Sequence, residues 1–459
     1  MKKRLSCLLL VVFLAFPSLY RGAGLFAQES GGYGPPDESP AEVRKLSPDE
    51  AVELAIKNNL GLESARLSAG TKKRASSSSW NQFIPTTRIQ GLVNRLNEEP
   101  ANPLLGTQWA AQGELAFELG INLAMFEQIK RLRLDYEGGL LSYEQARAET
   151  EKAVRQTYYE VVYRREEIDI LEDSFVNIQR QTAMAEANYR AGLIPEVDFL
   201  RARVAVEIFR PNLDMAKNGL KTLTANFAFL LGLPVDTEFE FDSAPSEISY
   251  LQLDAEDLRS KAVSGNWGIA SLRKNILSVQ SAKWTQFYLN YTPTLFFSWN
   301  LSRSLSDPWK NEWFNGSNWT PGGALTIGLR FSLDNLLPFG KGAQGVKDIN
   351  DSVTDLNTKL LQLTQQTTIE IYNTVLSLEQ IRSQAEVQKL TVDLAERSYR
   401  LTEQAYRGGL KQLLDVQSAE EDLRKARLDM LRRNIDYLKG LLDLEYAIGV
   451  PFGTLGGRN

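Results

Sequence analysis

The segment Tyr189-Arg190-Ala191-Gly192-Leu193, with Asp198 five residues further on, occurs twice in this chain. The second copy is Tyr406-Arg407-Gly408-Gly409-Leu410 with Asp415, at an offset of 217 positions. In each copy a glycine and a leucine interrupt a long run of helix-forming residues. The pattern therefore predicts two helical hairpins, in which a long helix ends at the Gly-Leu pair and the chain returns in a second helix.

Both copies belong to longer units that also match at their other end. The offset of 217 places Gly232-Leu233-Pro234 on Gly449-Val450-Pro451, and upstream Phe83-Ile84-Pro85-Thr86 corresponds to Tyr291-Thr292-Pro293-Thr294. Self-similarity at both ends of a segment is the sign of an internal duplication. We therefore predict one structural unit that occurs twice, over 46–234 and 253–451, with a connecting segment at 235–252 and a tail at 452–459.

Each unit is predicted to contain one very long helix and one shorter return helix. The long helices are expected at about 126–190 and 343–407, which contain no proline, and the return helices at about 197–231 and 412–448. A helix of about 65 residues is about 100 Å long, far beyond an ordinary globular helix, so the helices must pack in a coiled-coil-like manner. Gly138-Gly139 and Pro211 are expected to bend them.

Four short segments alternate between apolar and polar residues, which predicts half-buried strands at about 86–95, 114–124, 293–302 and 323–333. Two interpretations remain open, a soluble sheet packed on a core and membrane strands with lipid on the apolar side. The membrane interpretation is favoured by the length of the strands, by the export that the N-terminus described below predicts, and by the tryptophans Trp309, Trp313 and Trp319. The residues then expected to face lipid are Leu115, Phe117, Leu119, Ile121, Leu295, Phe297, Trp299, Leu325, Ile327, Leu329 and Phe331.

The N-terminus and the composition limit the function. Met1-Lys2-Lys3-Arg4 and a short apolar run predict a signal peptide over 1–27, ending near Ala23 or Ala27, with a flexible lead-in at 28–45. The chain has no histidine and one cysteine, which excludes imidazole-based catalysis and a disulfide framework. Its formal net charge of −5 gives no basis for a nucleic-acid partner. We expect no enzyme activity, cofactor or metal site.

Four strands cannot close a barrel, and an open sheet edge is not tolerated in lipid. The membrane interpretation therefore requires several copies of the chain to pool their strands.

The sequence resembles the TolC-like outer membrane efflux proteins, also called outer membrane factors. The resemblance rests on the opening Leu46-Ser47-Pro48-Asp49-Glu50-Ala51 with Asn58-Asn59, on Ile84-Pro85 before the first strand, on the duplication and on the two Gly-Leu turns followed by Asp. It implies a mainly α fold with a small β part. Three chains would contribute four strands each to a twelve-stranded outer-membrane barrel, continued by a helical periplasmic tunnel.

The resemblance also implies partners and residue roles. The chain would be a homotrimer in outer-membrane lipid, an exit duct for small molecules that works with a periplasmic adaptor (a membrane fusion protein) and an inner-membrane transporter. Gly192, Leu193, Gly409 and Leu410 would form the tips where the adaptor docks, or would only end a helix, with the leucine covering its last turn. Similarity to the family places Asp198, Tyr406, Lys411 and Asp415 at the periplasmic entrance, although both aspartates could instead cap the return helices.

Three other functions share some of these features. A type I protein-secretion duct has the same fold and is not separated from efflux by the sequence. A periplasmic coiled-coil adaptor or scaffold would use the helices but not the strands. A secreted carbohydrate-active enzyme would need an acid pair, whereas the acids here are spaced along helices among arginine and lysine, as on solvated surfaces.

Overall fold

The computed structural model describes residues 44–98, 108–242 and 250–455. The predicted signal peptide 1–27, the lead-in up to residue 43 and the end of the tail after residue 455 lie outside these ranges. Within them the chain is mainly helical, with a small sheet part.

The helices are long and occur in two matching sets. They are α1 Pro48–Asn58, α2 Leu60–Ser77, α3 Ala124–Arg190, α4 Glu196–Leu230, α5 Ala255–Gly265, α6 Trp267–Tyr291, α7 Lys341–Arg407 and α8 Leu413–Ile448. The long helices α3 and α7 have 67 residues each, and the return helices α4 and α8 have 35 and 36. Neither Gly138-Gly139 nor Pro211 ends its helix.

The strands form two separate sheets. They are β1 Arg44–Leu46, β2 Thr86–Arg95, β3 Trp109–Ile121, β4 Phe239–Phe241, β5 Thr294–Ser306 and β6 Trp319–Arg330. β1 and β4 form a short parallel pair, and the other four form an antiparallel sheet in the order β2-β3-β5-β6. β3 begins five residues before the predicted start and β5 ends four residues after its predicted end, so these strands reach further than their alternation indicated.

Local sequence explains where the helices start. The Ser47 hydroxyl accepts a hydrogen bond from the Glu50 backbone, and the Glu50 carboxylate accepts one from the Ser47 backbone, which is a capping box at the start of α1. Asn59 and Asn266 cap α2 and α6 in the same way in both units, each side chain accepting from a backbone N–H three residues on.

The two asparagines also link the ends of two helices in each unit. Asn59 Nδ2 donates to the Leu230 carbonyl at the end of α4 at 2.9 Å, and Asn266 Nδ2 donates to the Ala447 carbonyl near the end of α8 at 3.2 Å. α4 therefore continues into α2, and α8 into α6. The duplication seen in the sequence is thus a repeated helix junction in the structure.

The helices lie side by side in one layer. Near the Gly-Leu turns the order across the layer is α4, α3, α8, α7, and near the four-stranded sheet it is α2, α3, α6, α7. The edges of the layer are therefore α4 with α2 on one side and α7 on the other.

Two compact cores lie at the level of the helix junctions. In the first, Tyr158 and Phe227 pack against β1 and β4 through Phe239 and Phe241. The second, around Leu258, Ile371, Tyr437 and Leu444, joins α5 to α7 and α8. These cores fix the middle of the molecule, and the sheet and the Gly-Leu turns lie at its opposite ends.

Candidate functional site: a two-faced sheet and two hairpin tips

The four-stranded sheet has one strongly apolar face. The register places Leu119 opposite Phe297 and Trp299 opposite both Phe117 and Leu325, so these side chains lie on the same face. The rings of Phe117 and Trp299 stack at 5.5 Å. Except for Phe331, all the residues expected to face lipid lie on this face. Phe331 was wrongly predicted as a strand residue, because β6 ends at Arg330 and a short turn of helix follows from Leu333.

The opposite face of the same sheet is polar. Arg88 forms an ion pair with Glu118 at 2.5 Å, and Gln90 Nε2 donates to Glu114 at 2.5 Å. Three serines of β5 lie on the same polar face, namely Ser298, Ser302 and Ser304. A sheet with one apolar and one charged face suits an assembly with lipid on one side and water on the other. No helix in the described part of the chain has the length and apolar character that a membrane span requires.

Aromatic residues lie at both ends of the apolar face. At the loop end, the end of the sheet where β5 connects to β6, Trp109 meets Trp309 edge to face at 5.8 Å and Trp313 meets Trp319 at 6.0 Å. At the helix end, where the strands join the helices, a second group comprises Phe83, Phe126, Trp284, Phe287 and Tyr291. Two aromatic girdles around an apolar band are typical of membrane β proteins.

The two Gly-Leu turns are Schellman motifs at the ends of α3 and α7. Gly192 has φ +70° and Gly409 has φ +74°, the left-handed conformation that glycine adopts without strain. The Leu193 N–H donates to the Asn188 carbonyl and the Leu410 N–H to the Ala405 carbonyl, both at 2.8 Å. These hydrogen bonds satisfy helix-end carbonyls and reverse the chain.

The tip leucines do not cover the last helical turn. Leu193 is 72% exposed and Leu410 is 83% exposed, whereas the usual Schellman motif buries this side chain against its own helix. Each hairpin tip thus presents an unburied apolar side chain. The helix-capping interpretation explains the glycines, but it does not explain the leucines.

Asp198 and Asp415, the two aspartates predicted at the entrance, differ in their contacts. Neither is the N-cap of its helix; the N-caps are Pro195 and Gln412. The Asp415 carboxylate accepts a hydrogen bond from the Gln412 backbone at 3.0 Å, and Lys411 Nζ lies 3.6 Å from it. Asp198 has an ion pair with Arg201 at 3.8 Å.

Tyr406 joins the two hairpins of one chain at their tips. Its hydroxyl accepts from Asn188 Nδ2 at 3.5 Å, and its ring packs beside Ala185, Ala202 and Leu413. The structure therefore brings Tyr406, Lys411, Asp415 and both tips to the same end of the molecule.

Two exposed apolar stripes were missed by the sequence analysis. On α4 the stripe comprises Val197, Leu200, Val204, Ile208 and Met215, and on α7 it comprises Ile369, Tyr372, Leu376, Val387, Leu390, Leu394 and Leu401. The α4 stripe and the two runs of the α7 stripe, 369–376 and 387–401, have spacings of three, four or seven residues, as in a coiled-coil seam. This heptad spacing was visible in the sequence, but the buried stripes of the same helices have it too.

The chain has the TolC-like fold. Residues 110–233 match the family model described as outer membrane efflux protein. No curated protein sequence matches the chain. The sequence resemblance to the TolC-like outer membrane efflux proteins is confirmed by the family match and the fold together.

Solved structures with this fold are similar over most of the chain. The outer membrane protein VceC from Vibrio cholerae is 15% identical with a TM-score of 0.72, covering 88% of this chain and 96% of that one. The CmeC outer membrane channel of Campylobacter jejuni is 16% identical with a TM-score of 0.71, covering 90% and 87%. The MtrE outer membrane channel of Neisseria gonorrhoeae is 14% identical with a TM-score of 0.67, covering 88% and 89%. The matched family and VceC are outer membrane proteins, and CmeC and MtrE are outer membrane channels, as the sequence resemblance leads one to expect of proteins with this fold.

Proposed function

We propose that this chain is one subunit of a ring-shaped outer-membrane exit duct, in which three copies pool twelve strands. The observation that supports it most is that the sheet and the helical layer are both open at two edges, and that the open edges coincide. β2 follows α2 and β6 precedes α7. One side of the subunit therefore presents β2 above α2 and α4, and the other presents β6 above α7.

The exposed stripes support closure into a ring. The α4 stripe and the lower α7 stripe, from Val387 to Leu401, lie at similar distances from the tips, so the stripes of neighbouring copies can meet. An interface between two different surfaces, repeated around an axis, closes a ring. The seam would remove from water the leucine, isoleucine and valine side chains that a single copy exposes.

Pairing of β6 with the β2 strand of the next copy would remove the open sheet edges at the same time. Unpaired backbone groups at a sheet edge cost several kcal/mol each in hydrocarbon, so a single copy cannot remain in a bilayer. In the closed ring the apolar face would meet lipid and the Arg88–Glu118 face would line a water-filled lumen.

The periplasmic end provides the surface for partners. Leu193 and Leu410, exposed at the hairpin tips, are the proposed contacts for a periplasmic adaptor, which would link the duct to an inner-membrane transporter of small molecules. Asp198 and Asp415 would add negative charge around the entrance in each copy, with Tyr406 and Lys411 beside them. A ring of carboxylates favours cations over anions.

Oligomer mass and conductance test the proposal together. Leu394→Glu places a charge in the α7 stripe, and Lys389→Glu places the same residue on an exposed position of α7 outside the stripe. We expect the parent chain and Lys389→Glu to form trimers that conduct in planar bilayers, and Leu394→Glu to remain monomeric. If carbonate released the parent chain from membranes as a monomer, the proposed function as a duct would be contradicted.

A further inference from the structure

One arginine lies on the apolar face of the sheet. Arg303 pairs across the strands with Gly113 on β3 and with Pro321 on β6, and Gly113 in turn pairs with Gly91 on β2. The guanidinium is exposed, and no ion pair to it is found among the described residues. If the apolar face meets lipid, as the proposed function has it, the guanidinium must extend to the membrane surface, where it is available to an anion.

The row that contains Arg303 is a shallow trough. A Cβ placed on Gly91 or Gly113 would meet no atom within 4 Å, so the surface above both glycines is open. The row on one side is Ile89, Leu115 and Leu301, and the row on the other is Val93, Ala111 and Leu305. The trough is thus apolar in its floor and walls, with a cation at one end.

A second arginine lies two rows nearer the loops. Arg95 lies over the ring of Trp109 at 5.6 Å to its centroid, next to the tryptophan group of the loop end. The nearby carboxylate of Asp307 has its own cation, because Lys310 Nζ lies 2.9 Å away. Two arginines and an aromatic group therefore occupy the loop end of the apolar face.

The height of Arg303 matches a headgroup region. The apolar rows from Leu115 to Ile121 span about 20 Å along the strands, and Arg303 lies one row beyond Leu115. An arginine at that depth reaches the interface by extending its side chain towards it. Guanidinium groups bind phosphate through paired N–H donors, which a quaternary ammonium headgroup does not require.

We propose that this surface binds a phosphorylated lipid of the outer leaflet, with an acyl chain in the Gly91–Gly113 trough and phosphate on Arg303 and Arg95. The inference rests on the proposed function, since it requires the apolar face to meet lipid. It goes beyond a general lipid contact because it assigns a headgroup chemistry and a site.

Lipid binding to the purified oligomer tests the site. The probes are a bisphosphorylated lipid A, the same lipid without its phosphates, phosphatidylcholine and inorganic phosphate, with bound lipid counted by native mass spectrometry. Arg303→Ala is compared with Arg330→Ala, which removes an arginine from the polar face, where it lies over Phe296. Gly113→Leu fills the trough without a backbone penalty, since this glycine has no positive φ.

We expect Arg303→Ala to weaken binding of the phosphorylated lipid about fivefold, the effect of one arginine at an anionic membrane surface. Gly113→Leu should weaken it too, and Arg330→Ala should not. Equal binding to the lipid without phosphates, or equal loss in Arg303→Ala and Arg330→Ala, would overturn the site. Competition by inorganic phosphate would show a soluble-anion site instead.

Conductance and lipid binding are measured on the same purified oligomer, so a failure of the proposed function can be distinguished from a failure of the lipid site. Failure of the parent chain to form conducting trimers would contradict the proposed function. Conducting trimers whose Arg303→Ala variant binds the phosphorylated lipid unchanged would contradict only the lipid site.

Discussion

Asp198 and Asp415 occupy the third position of equivalent return helices, but only the Asp415 carboxylate closes a capping box. It accepts the Gln412 backbone N–H at 3.0 Å. The residue equivalent to Gln412 in the first unit is Pro195, which has no backbone N–H to donate. Asp198 therefore has no backbone N–H to accept at this position, and comparing the two aspartates measures what the capping bond of Asp415 contributes to stability.

The first prediction compares the two aspartates. We expect Asp415→Ala to lower the free energy of unfolding by about 1 kcal/mol through loss of the box, and Asp198→Ala to change it by less than about 0.5 kcal/mol. Chemical denaturation of the purified chain measures both. If both carboxylates also line the entrance, each variant reduces cation selectivity in planar bilayers.

Pro195→Gln is the matched control for this comparison. It supplies the missing N–H, so Asp198 can close a box like that of Asp415, and Asp198→Ala should then destabilise the double variant. An equal loss of stability for Asp198→Ala with and without Pro195→Gln would contradict the explanation.

The second prediction concerns the helix junctions. Asn59 and Asn266 each accept a backbone N–H with Oδ1 and donate with Nδ2 to a carbonyl of the helix below. Alanine at either position removes the cap and leaves a carbonyl without its donor, so we expect a loss of about 1–3 kcal/mol in the free energy of unfolding. Thermal or denaturant unfolding measures it.

Serine separates the two contributions of the junction asparagines. Asn59→Ser and Asn266→Ser can still cap α2 and α6 but cannot reach the carbonyl, so their loss should be intermediate. Variants as stable as the parent would show that the junctions are held by the adjacent cores alone.

The third prediction separates folding from docking at the tips. The Cβ that Gly409→Ala adds would meet no neighbouring atom, but the backbone would have to keep its φ of +74°. We therefore expect this variant to lose about 1 kcal/mol in the free energy of unfolding, from backbone conformation alone. Leu410→Asp changes an exposed side chain and should leave stability unchanged while abolishing export with the adaptor. Export assays and trimer assembly measure the two effects.

The tip of the first unit provides the parallel variants Gly192→Ala and Leu193→Asp. Normal export with both Leu193→Asp and Leu410→Asp in assembled trimers would show that the exposed leucines do not dock the adaptor. Loss of the trimer would show that they have a folding role.

Much of this fold follows from local sequence rules, because helix caps and strand alternation act over a few residues. Ser47 and Asn59 start helices by hydrogen bonds to residues three positions on, and β2 occupies the span that its alternation indicated. Strand ends were less predictable, since Trp109 and Ser306 are fixed by pairing across the sheet and not by their own neighbours.

The candidate site was harder to predict from the sequence, because it depends on contacts between residues that are distant in the chain. The exposure of Leu410 and the capping of Asp415 come from how the turn is built, and sequence spacing does not distinguish a covered leucine from an exposed one. Arg303 lies one residue after the strand predicted at 293–302, and nothing in the sequence distinguished it from other polar residues. Only the cross-strand register showed that it lies on the apolar face, in one row with Gly113 and Gly91.

The last prediction concerns Glu420, which is buried on α8. Burial raises the pKa of its carboxyl, while a hydrogen bond from Ser174 of α3 and the charge of Arg424 offset part of that shift. Glu421 adds a like charge beside it, and the Tyr399 hydroxyl of α7 lies close enough to interact with it. The folded chain therefore holds this proton more tightly than the unfolded chain does.

Stability should consequently fall as the pH rises above the ordinary range of a glutamate, because the folded state must then ionise a buried group. The slope approaches about 1.4 kcal/mol per pH unit for one proton between the unfolded and folded pKa, and levels off above the folded pKa. Glu420→Gln should remove this contribution and make the chain more stable than the parent at neutral pH. Glu421→Gln is the control, because it removes only the like charge of an exposed neighbour and leaves Glu420 buried, so it should keep most of the slope. Unfolding by denaturant across pH 4 to 8 measures the difference, and parallel stability curves for the parent and Glu420→Gln would rule out a buried ionisation at this position.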